Sequence, residues 1–163
     1  MTLKNKLGIT DSAELARTEE KISKKKAVEL FVYGLLDKLE AGKFSALAEI
    51  HKYLFDEIFG FAGIVRDVNI AKSNFRFAPV MYLNASLIHI DTMPQSTFDE
   101  IVEKYVEMNV AHPFREGNGR STRIGISGAM VFLNNLFPPT QLSKCFLSIV
   151  INFLLYKYYL ISI

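Results

Sequence analysis

The sequence predicts an all-α fold that contains one short β-hairpin. Apolar residues recur at helical spacing in four stretches between residues 27 and 110, and Gly, Pro, Ser and Thr residues separate these stretches. Only residues 60–77 show the weak alternation that is typical of strands. The chain has 163 residues, of which 50% are hydrophobic, and this is enough to bury the core of one domain.

Two helices are predicted in the first third of the chain. The first covers residues 27–41 and ends at Gly42, because glycine commonly terminates helices. The second is capped by Ser45 and extends to Phe59. The apolar faces consist of Val28, Leu30, Phe31, Leu35 and Leu39 in the first helix and of Leu47, Ile50, Leu54, Phe55 and Ile58 in the second.

Two more helices follow the predicted hairpin. They cover residues 78–90 and 98–110, and the connection between them contains Pro94. Thr97 and Glu100 have the spacing of a capping box at the start of the fourth helix. The hairpin is expected within residues 60–77, where the apolar residues are Ile64, Val65, Val68, Ile70, Phe75 and Phe77.

The composition of the chain changes after Glu116. All 17 acidic residues lie at or before this position, so residues 1–116 carry a net charge of −2 and residues 117–163 a net charge of +4. The last 19 residues, 145–163, contain one charged side chain, Lys157. This composition is unusual for the exposed face of a soluble helix.

Three explanations compete for the tail, residues 125–163. A membrane anchor would need an apolar helix of about 20 residues, but Asn152 and Lys157 interrupt the apolar run. A buried core helix should show a polar stripe at helical period, and hardly any is visible. A change of reading frame near Ile124 explains both the loss of acidic residues and the abrupt change in composition. We favour the frame change and expect no membrane association.

Composition also bounds the compartment and the partners. Cys145 is the single cysteine, so no disulfide can form within the chain. Residues 1–26 are polar and charged and contain no signal-peptide pattern, so a cytoplasmic protein is expected. A net charge of +2 gives no indication of nucleic-acid binding, and the lysines at 24–26 are expected to lie on a solvated helix face.

Residues 112–123 combine several groups that can handle phosphate. Glycines on both sides of Asn118, at 117 and 119, allow positive φ, so that successive backbone N–H groups can converge on an anion. A helix that begins near Asn118 would strengthen this site, and Arg120 and Arg123 would share one of its faces. Glu116 can hold a hard cation, and His112 suits general-base chemistry near neutral pH.

The stretch resembles the signature of the Fic family, His-x-Phe-x-(Asp/Glu)-Gly-Asn-Gly-Arg-x-x-Arg. The resemblance extends to Ile50-His51, Leu54-Phe55, Ala62-Gly63 and Arg66, so it covers roughly residues 40–124 and separates a Fic-like domain, residues 1–124, from the tail. The fixed positions of the signature are met by His112, Phe114, Glu116, Gly117, Asn118, Gly119, Arg120 and Arg123.

The resemblance implies transfer of AMP from ATP to a Tyr, Thr or Ser hydroxyl of a target protein. His112 would be the general base, and Glu116 would hold Mg²⁺. Phe114 would anchor the loop in the core so that His112 points outward. The phosphates would be bound by the backbone of Gly117, Asn118 and Gly119, by the Asn118 side chain, and by Arg120 and Arg123.

In the family, a hairpin called the flap aligns the target segment as an added strand. The resemblance places this flap at residues 72–77, although Phe75 and Phe77 could equally belong to the core. His51 and His89 lack ligand partners at metal-binding spacing and are interpreted as structural. The complete flap consists of Lys72, Ser73, Asn74, Phe75, Arg76 and Phe77.

Two alternatives and one regulatory expectation remain. A related Doc-type branch phosphorylates proteins, but its motif has Lys where this chain has Gly119. The chain could also be an inactive truncated remnant or a binding module. Many family members carry a Ser/Thr-x-x-x-Glu-(Gly/Asn) helix whose glutamate restrains the second motif arginine, here Arg123. The stretch from Thr10 to Glu14 is followed by Leu15, so we expect no such restraint in cis, with Glu14 as the weak competitor and a partner chain as the other source of a glutamate.

Overall fold

The computed structural model describes the backbone of residues 2–134 and the side chains of residues 2–126. It contains five helices and a two-stranded hairpin within this part of the chain. The predicted all-α class with one short hairpin is therefore confirmed. The elements, in chain order, are α1 (Ser12–Val32), a 3₁₀ turn (Leu36–Lys38), α2 (Phe44–Phe55), β1 (Ala71–Lys72), β2 (Phe75–Arg76), α3 (Val80–Thr92), α4 (Phe98–Ala111) and α5 (Asn118–Asn134).

The first helix differs from its prediction at both ends. It begins 15 residues before residue 27, capped by the Asp11 side chain, which accepts from the Glu14 N–H at 2.7 Å. It ends at Val32 instead of residue 41, because the chain turns at Gly34, where φ is +59°. Gly42, at φ +80°, therefore lies in a turn beyond the helix rather than at its end. The buried residues of α1 are Leu15, Glu19, Ser23 and Leu30.

The central helix α2 contributes to two hydrophobic clusters. Its cap is not Ser45: Asp91, at the end of α3, accepts from the Phe44 N–H at 2.6 Å. The helix also ends at Phe55, short of the predicted Phe59. One cluster joins α2 to α1 and to the segment after α2 through Leu15, Leu30, Ile50, Leu54, Phe55, Ile58, Phe59 and Ala62. The other joins α2 to α3, α4 and the loop after α4 through Leu47, Leu83, Leu87, Ile90, Met108, Ala111 and Phe114.

The remaining predicted elements occur close to their expected positions. The hairpin pairs Ala71 with Arg76 and Lys72 with Phe75. Its two-residue turn contains Ser73 at φ +52°, as tight hairpin turns require positive φ. The fourth helix has the predicted capping box, in which the Thr97 side chain accepts from the Glu100 N–H and the Glu100 carboxylate accepts from the Thr97 N–H.

The last described helix, α5, continues from Asn118 to Asn134. It passes through Gly125 and Gly128, because a helix tolerates glycine at a cost of about 1 kcal/mol each. Among the described residues, no helix has the length and apolar character needed to cross a bilayer. The apolar segment 145–163, and with it the expectation of a frame change, lies outside the described residues.

Candidate active site

The residues of the motif form the loop between α4 and α5. His112 is the C-terminal cap of α4 and adopts a left-handed conformation, with φ +48° and ψ +63°. This conformation is uncommon for a residue with a side chain and turns the chain sharply away from the helix axis. Phe114 follows two residues later with no exposed surface, so the loop is anchored in the core, as the sequence predicted.

The imidazole of His112 is partly buried against the hairpin. Its ring stacks on Phe77 with centroids 3.6 Å apart and planes 16° from parallel. Nδ1 lies 3.0 Å from the Asn109 carbonyl, which can only accept, so Nδ1 carries the hydrogen and Nε2 keeps its lone pair. Burial lowers the pKa of His112, so the ring is neutral at neutral pH and Nε2 can accept a proton.

A second histidine supports the loop from below. His51 of α2 is fully buried and stacks on Phe114 with ring centroids 3.8 Å apart. Its Nδ1 accepts from the Gly63 N–H at 2.9 Å, and its Nε2 donates to the Glu116 carbonyl at 2.8 Å. Burial lowers the pKa of His51 to about 4, so this ring is also neutral. His51 therefore has a structural role, because its ring links the segment after α2 to the motif loop.

The two motif glycines have different roles. Gly117 has φ +77°, and a Cβ placed there would lie 2.4 Å from the Phe55 ring, so no other residue fits. Gly119 is part of α5 and has no positive φ, contrary to the expectation for both glycines. A Cβ at Gly119 would lie 3.3 Å from the Arg123 guanidinium, which places that guanidinium beside the first turn of α5.

Asn118 begins α5 and closes the loop with its side chain. Its Oδ1 accepts from the Phe114 N–H at 2.8 Å, and its Nδ2 donates to the Phe114 carbonyl at 2.6 Å. The side chain is therefore hydrogen-bonded within the protein. This arrangement differs from the phosphate contact that the resemblance implied for it. The first intrahelical bonds run from the Arg120 and Ser121 N–H groups to the Gly117 carbonyl, so the N–H groups of residues 118 and 119 precede them at the positive end of the helix dipole.

Glu116 is the carboxylate nearest to this helix terminus. Its side chain is 48% exposed, and one oxygen accepts from the Gly117 N–H at 3.0 Å. The described residues contain no group of three or more His, Cys, Asp or Glu side chains that could enclose a metal ion. A single accessible carboxylate still suits Mg²⁺, which is commonly held by one or two carboxylates together with water and substrate phosphates.

The Arg120 guanidinium contacts α1 and also lies 4.0 Å from the Glu116 carboxylate of the motif loop. It forms an ion pair with Glu19 and donates to the Ser23 hydroxyl at 3.0 Å. Glu19 is buried, and desolvation raises the pKa of its carboxyl even though Arg120 opposes this. Within the described residues, Glu19 thus forms an ion pair with the first motif arginine, Arg120, whereas Glu14 is exposed.

The hairpin lies directly above His112. The side chains of residues 72–74 and of Arg76 are exposed, whereas Phe77 is buried against His112 and Phe75 packs edge-on to Phe77 with centroids 5.1 Å apart. The alternative that Phe77 belongs to the core is therefore correct for that residue. His89, by contrast, is exposed on α3 and far in sequence from the loop.

Taken together, the loop brings a neutral histidine, an accessible carboxylate, a helix N-terminus and an arginine side chain to one place. A family model described as the Fic/DOC family matches residues 43–127, which is more than half of the 163 residues. The chain belongs to the Fic/DOC family.

Relatives of this Fic-family chain agree with the match. It is 33% identical over 130 residues to the protein adenylyltransferase VbhT of Bartonella schoenbuchensis, an alignment that covers 73% of this chain and 27% of VbhT. The chain thus spans about a quarter of that relative's length.

Solved Fic domains share the fold at low sequence identity. The BepC protein of Bartonella tribocorum, solved with bound AMPPNP, is 23% identical and superposes with a TM-score of 0.64 over 79% of this chain and 72% of BepC. A Fic domain from Bartonella quintana, solved with bound ADP, is 22% identical with a TM-score of 0.65 over 88% of this chain and 80% of that domain.

Sequence reasoning missed the support of this Fic site. Glu19 and Ser23 lie in register with Leu15 on the inner face of α1, and this spacing of four residues could have indicated that polar side chains are buried there. Arg66 was noticed only as part of a resemblance, and His51 was interpreted as structural without a partner being assigned. Their partners are backbone groups, which leave no pattern in a sequence.

Proposed function

We propose that this Fic-family chain is a protein adenylyltransferase that transfers AMP from ATP to a Tyr, Thr or Ser hydroxyl of a target protein. The observation that carries the proposal is the 3.0 Å contact between Nδ1 of His112 and the Asn109 carbonyl. Because a carbonyl only accepts, this contact assigns the hydrogen to Nδ1 and leaves Nε2 as a proton acceptor on the loop that leads into α5. The names of relatives such as VbhT support the same chemistry.

In the proposed reaction, the target hydroxyl gives its proton to Nε2 of His112 as its oxygen bonds to the α-phosphorus. The bond from the α-phosphorus to the bridging oxygen breaks, and pyrophosphate leaves with the electron pair. The lowered pKa of His112 keeps the base neutral before the transfer. The stack on Phe77 fixes the ring plane, so the lone pair has one direction.

The N-terminus of α5 would bind the phosphates through the N–H groups of residues 118 and 119, since a helix N-terminus favours anions. Arg123 would neutralise the departing end of the nucleotide, and its guanidinium already lies beside Gly119. Glu116 would hold Mg²⁺, which supplies positive charge next to the phosphate oxygens when it is bound. The ion pair of Arg120 with Glu19 would compete with phosphate for this guanidinium.

The target would dock on the hairpin. The strands are only two residues long, and the tip side chains are exposed, so β1 and β2 offer an edge to an extended segment. Such pairing holds the backbone of the target and presents one side chain to the site. The exposed Lys72 and Arg76 would favour an acidic target segment.

The Doc-type alternative, phosphate transfer, is disfavoured by Gly119. A Cβ there would lie 3.3 Å from the Arg123 guanidinium, so a lysine would crowd that group and require it to shift. The Glu19–Arg120 ion pair is also a proposed regulatory contact, because it occupies one motif arginine within the chain. A glutamate supplied by a partner chain to Arg123 remains part of the proposal.

The deciding experiment follows the label on ATP. The purified chain is incubated with Mg²⁺ and either α-labelled or γ-labelled ATP, and the protein is separated and counted. Covalent label from α-labelled ATP alone supports adenylyl transfer. Label from γ-labelled ATP alone supports phosphate transfer, and label from neither contradicts the enzymatic proposal.

A further inference from the structure

One arginine outside the signature ties the hairpin to the histidine loop. Arg66 is 3% exposed, and its guanidinium donates to four backbone carbonyls. Nε donates to His112 at 2.7 Å, and one Nη donates to both Ala111 at 3.1 Å and Ala78 at 2.5 Å. The other Nη donates to Val68 at 2.7 Å.

Two of these carbonyls belong to the end of α4. The last carbonyls of a helix have no intrahelical partners, and they carry the negative end of the helix dipole. Arg66 satisfies Ala111 and His112 there with a cation. The backbone N–H of Arg66 also donates to the Pro113 carbonyl at 2.8 Å, so three consecutive residues around His112 are fixed by one residue.

The other two carbonyls bracket the hairpin. Val68 precedes β1 and Ala78 follows β2, so the guanidinium holds both ends of the segment from which the hairpin projects. The N–H of Ala78 donates to Val110 of α4 at 3.1 Å, which adds a direct link on the same side. Among the described residues, every acceptor that the structure gives to this guanidinium is a backbone carbonyl, so its role depends on geometry and not on a counter-ion.

We propose that Arg66 is a positioning residue that sets the distance and angle between the hairpin, where the target backbone would lie, and the ring of His112. This inference rests on the proposed adenylyl transfer. It follows from the fork of the guanidinium, because one planar group fixes four carbonyls on two elements. An ammonium group has three donors on a flexible stem and cannot reproduce that arrangement.

The first arm of the test uses Arg66→Lys with Arg115→Lys as the matched control. Arg115 is exposed, lies on the motif loop between α4 and α5, and pairs at 2.5 Å with Asp67, the neighbour of Arg66. We expect Arg66→Lys to lower the rate of self-labelling from α-labelled ATP by roughly 10²-fold, since a displacement of about 1 Å can cost that much, while the affinity for ATP stays within about twofold of wild type. Rates equal to those of wild type would overturn the inference.

A second variant separates positioning from simple loss of stability. Arg66→Ala leaves a space lined by the four carbonyls, which added guanidinium ion can fill. We expect guanidinium, at concentrations far below those that unfold the chain, to restore part of the labelling, and methylammonium to restore none. Equal effects of the two cations would count against a role for the fork.

The third arm needs no activity, so it remains informative if wild type transfers no label and the proposed function fails. Hydrogen exchange of the Phe77 and Ala78 amides should become at least about tenfold faster in Arg66→Lys, whereas the amides of α2 should exchange as in wild type and in Arg115→Lys. Uniform acceleration across the chain, or none at Phe77 and Ala78, would overturn the inference.

Discussion

The two buried faces of the motif loop each contain a histidine stacked on a phenylalanine, but only one histidine has a ring nitrogen left for chemistry. On the side of α2, His51 stacks on Phe114, and both of its ring nitrogens are hydrogen-bonded, one to Gly63 and one to the Glu116 carbonyl. On the side of the hairpin, His112 stacks on Phe77, and Nδ1 is its one hydrogen-bonded ring nitrogen within the described residues.

The comparison shows that burial and a lowered pKa do not identify a base by themselves. Both rings are kept neutral by desolvation, and the shift is larger for His51, which has no exposed surface. The difference is the number of occupied nitrogens. A histidine with both ring nitrogens hydrogen-bonded has a structural role. A histidine with one hydrogen-bonded nitrogen can use the other as an oriented proton acceptor.

The comparison is tested most strongly by removing the imidazole of His112. We expect His112→Ala to reduce transfer of labelled AMP by about 10²–10⁴-fold, because a general base is lost, while ATP affinity and the melting temperature remain near those of wild type. His89→Ala, an exposed histidine on α3, is the control and should keep full transfer. A parallel loss of ATP binding would remove His112 from the role of base.

His51 should instead affect the pH dependence of the free energy of unfolding. The pKa of His51 is about 4 in the folded chain, against about 6.5 when unfolded, so stability is complete above pH 6.5 and is lost as the pH falls from 6.5 to 4. The loss approaches about 3 kcal/mol, and His112 adds to it with the same sign. Urea unfolding at several pH values measures the slope, which should be shallower in His51→Gln. Equal slopes in wild type and in His51→Gln would contradict the structural role of His51.

Glu116 belongs to both sides of the comparison, since its carbonyl is held by His51 and its carboxylate faces the site. We expect Glu116→Gln to raise the Mg²⁺ concentration needed for half-maximal transfer by roughly tenfold, because a neutral amide is a poorer ligand for a hard cation. Thermal unfolding should change little, as the backbone contact with His51 survives. Glu107→Gln, an exposed change on α4, serves as the control, and an unaltered Mg²⁺ requirement in Glu116→Gln would count against the proposed metal role.

The smallest expected effect concerns Arg120. Glu19→Gln removes the charge that holds this guanidinium, so binding of Mg²⁺-ATP should tighten by up to about fivefold, or about 1 kcal/mol. Glu20→Gln is the matched control, because Glu20 is the next residue and pairs only with exposed Lys24 among the described residues. Calorimetric titration distinguishes the two variants. Identical affinities of Glu19→Gln and Glu20→Gln for Mg²⁺-ATP would mean that the Glu19–Arg120 ion pair does not compete with phosphate.

Local signals predicted the parts of the fold whose partners are close in sequence. The capping box of Thr97 and Glu100, the hairpin and the helix start at Asn118 all depend on neighbours within a few residues. Residues 12–26 of α1 were missed because the inner face there carries Glu19 and Ser23, which both contact the distant Arg120. The cap of α2 was assigned wrongly because the true cap, Asp91, lies 47 residues from Phe44.

The motif predicted which residues would gather at the site but not what each would do there. The side chain of Asn118 looked like a phosphate ligand but is hydrogen-bonded to the Phe114 backbone. Arg120 looked like a partner of Arg123 and turned out to pair with α1. In each case the decisive partner is a backbone group or a distant side chain, and neither is visible in the spacing of a motif.

The ion pair of Glu19 with Arg120 also has a consequence for the order of assembly. It joins residues 101 positions apart, so a long loop must close before it can form. The buried polar stretch of α1 finds its partner only after α5 has emerged. During synthesis α1 leaves the ribosome before α5 does, so its polar face can pair with Arg120 only after most of the described chain has been made.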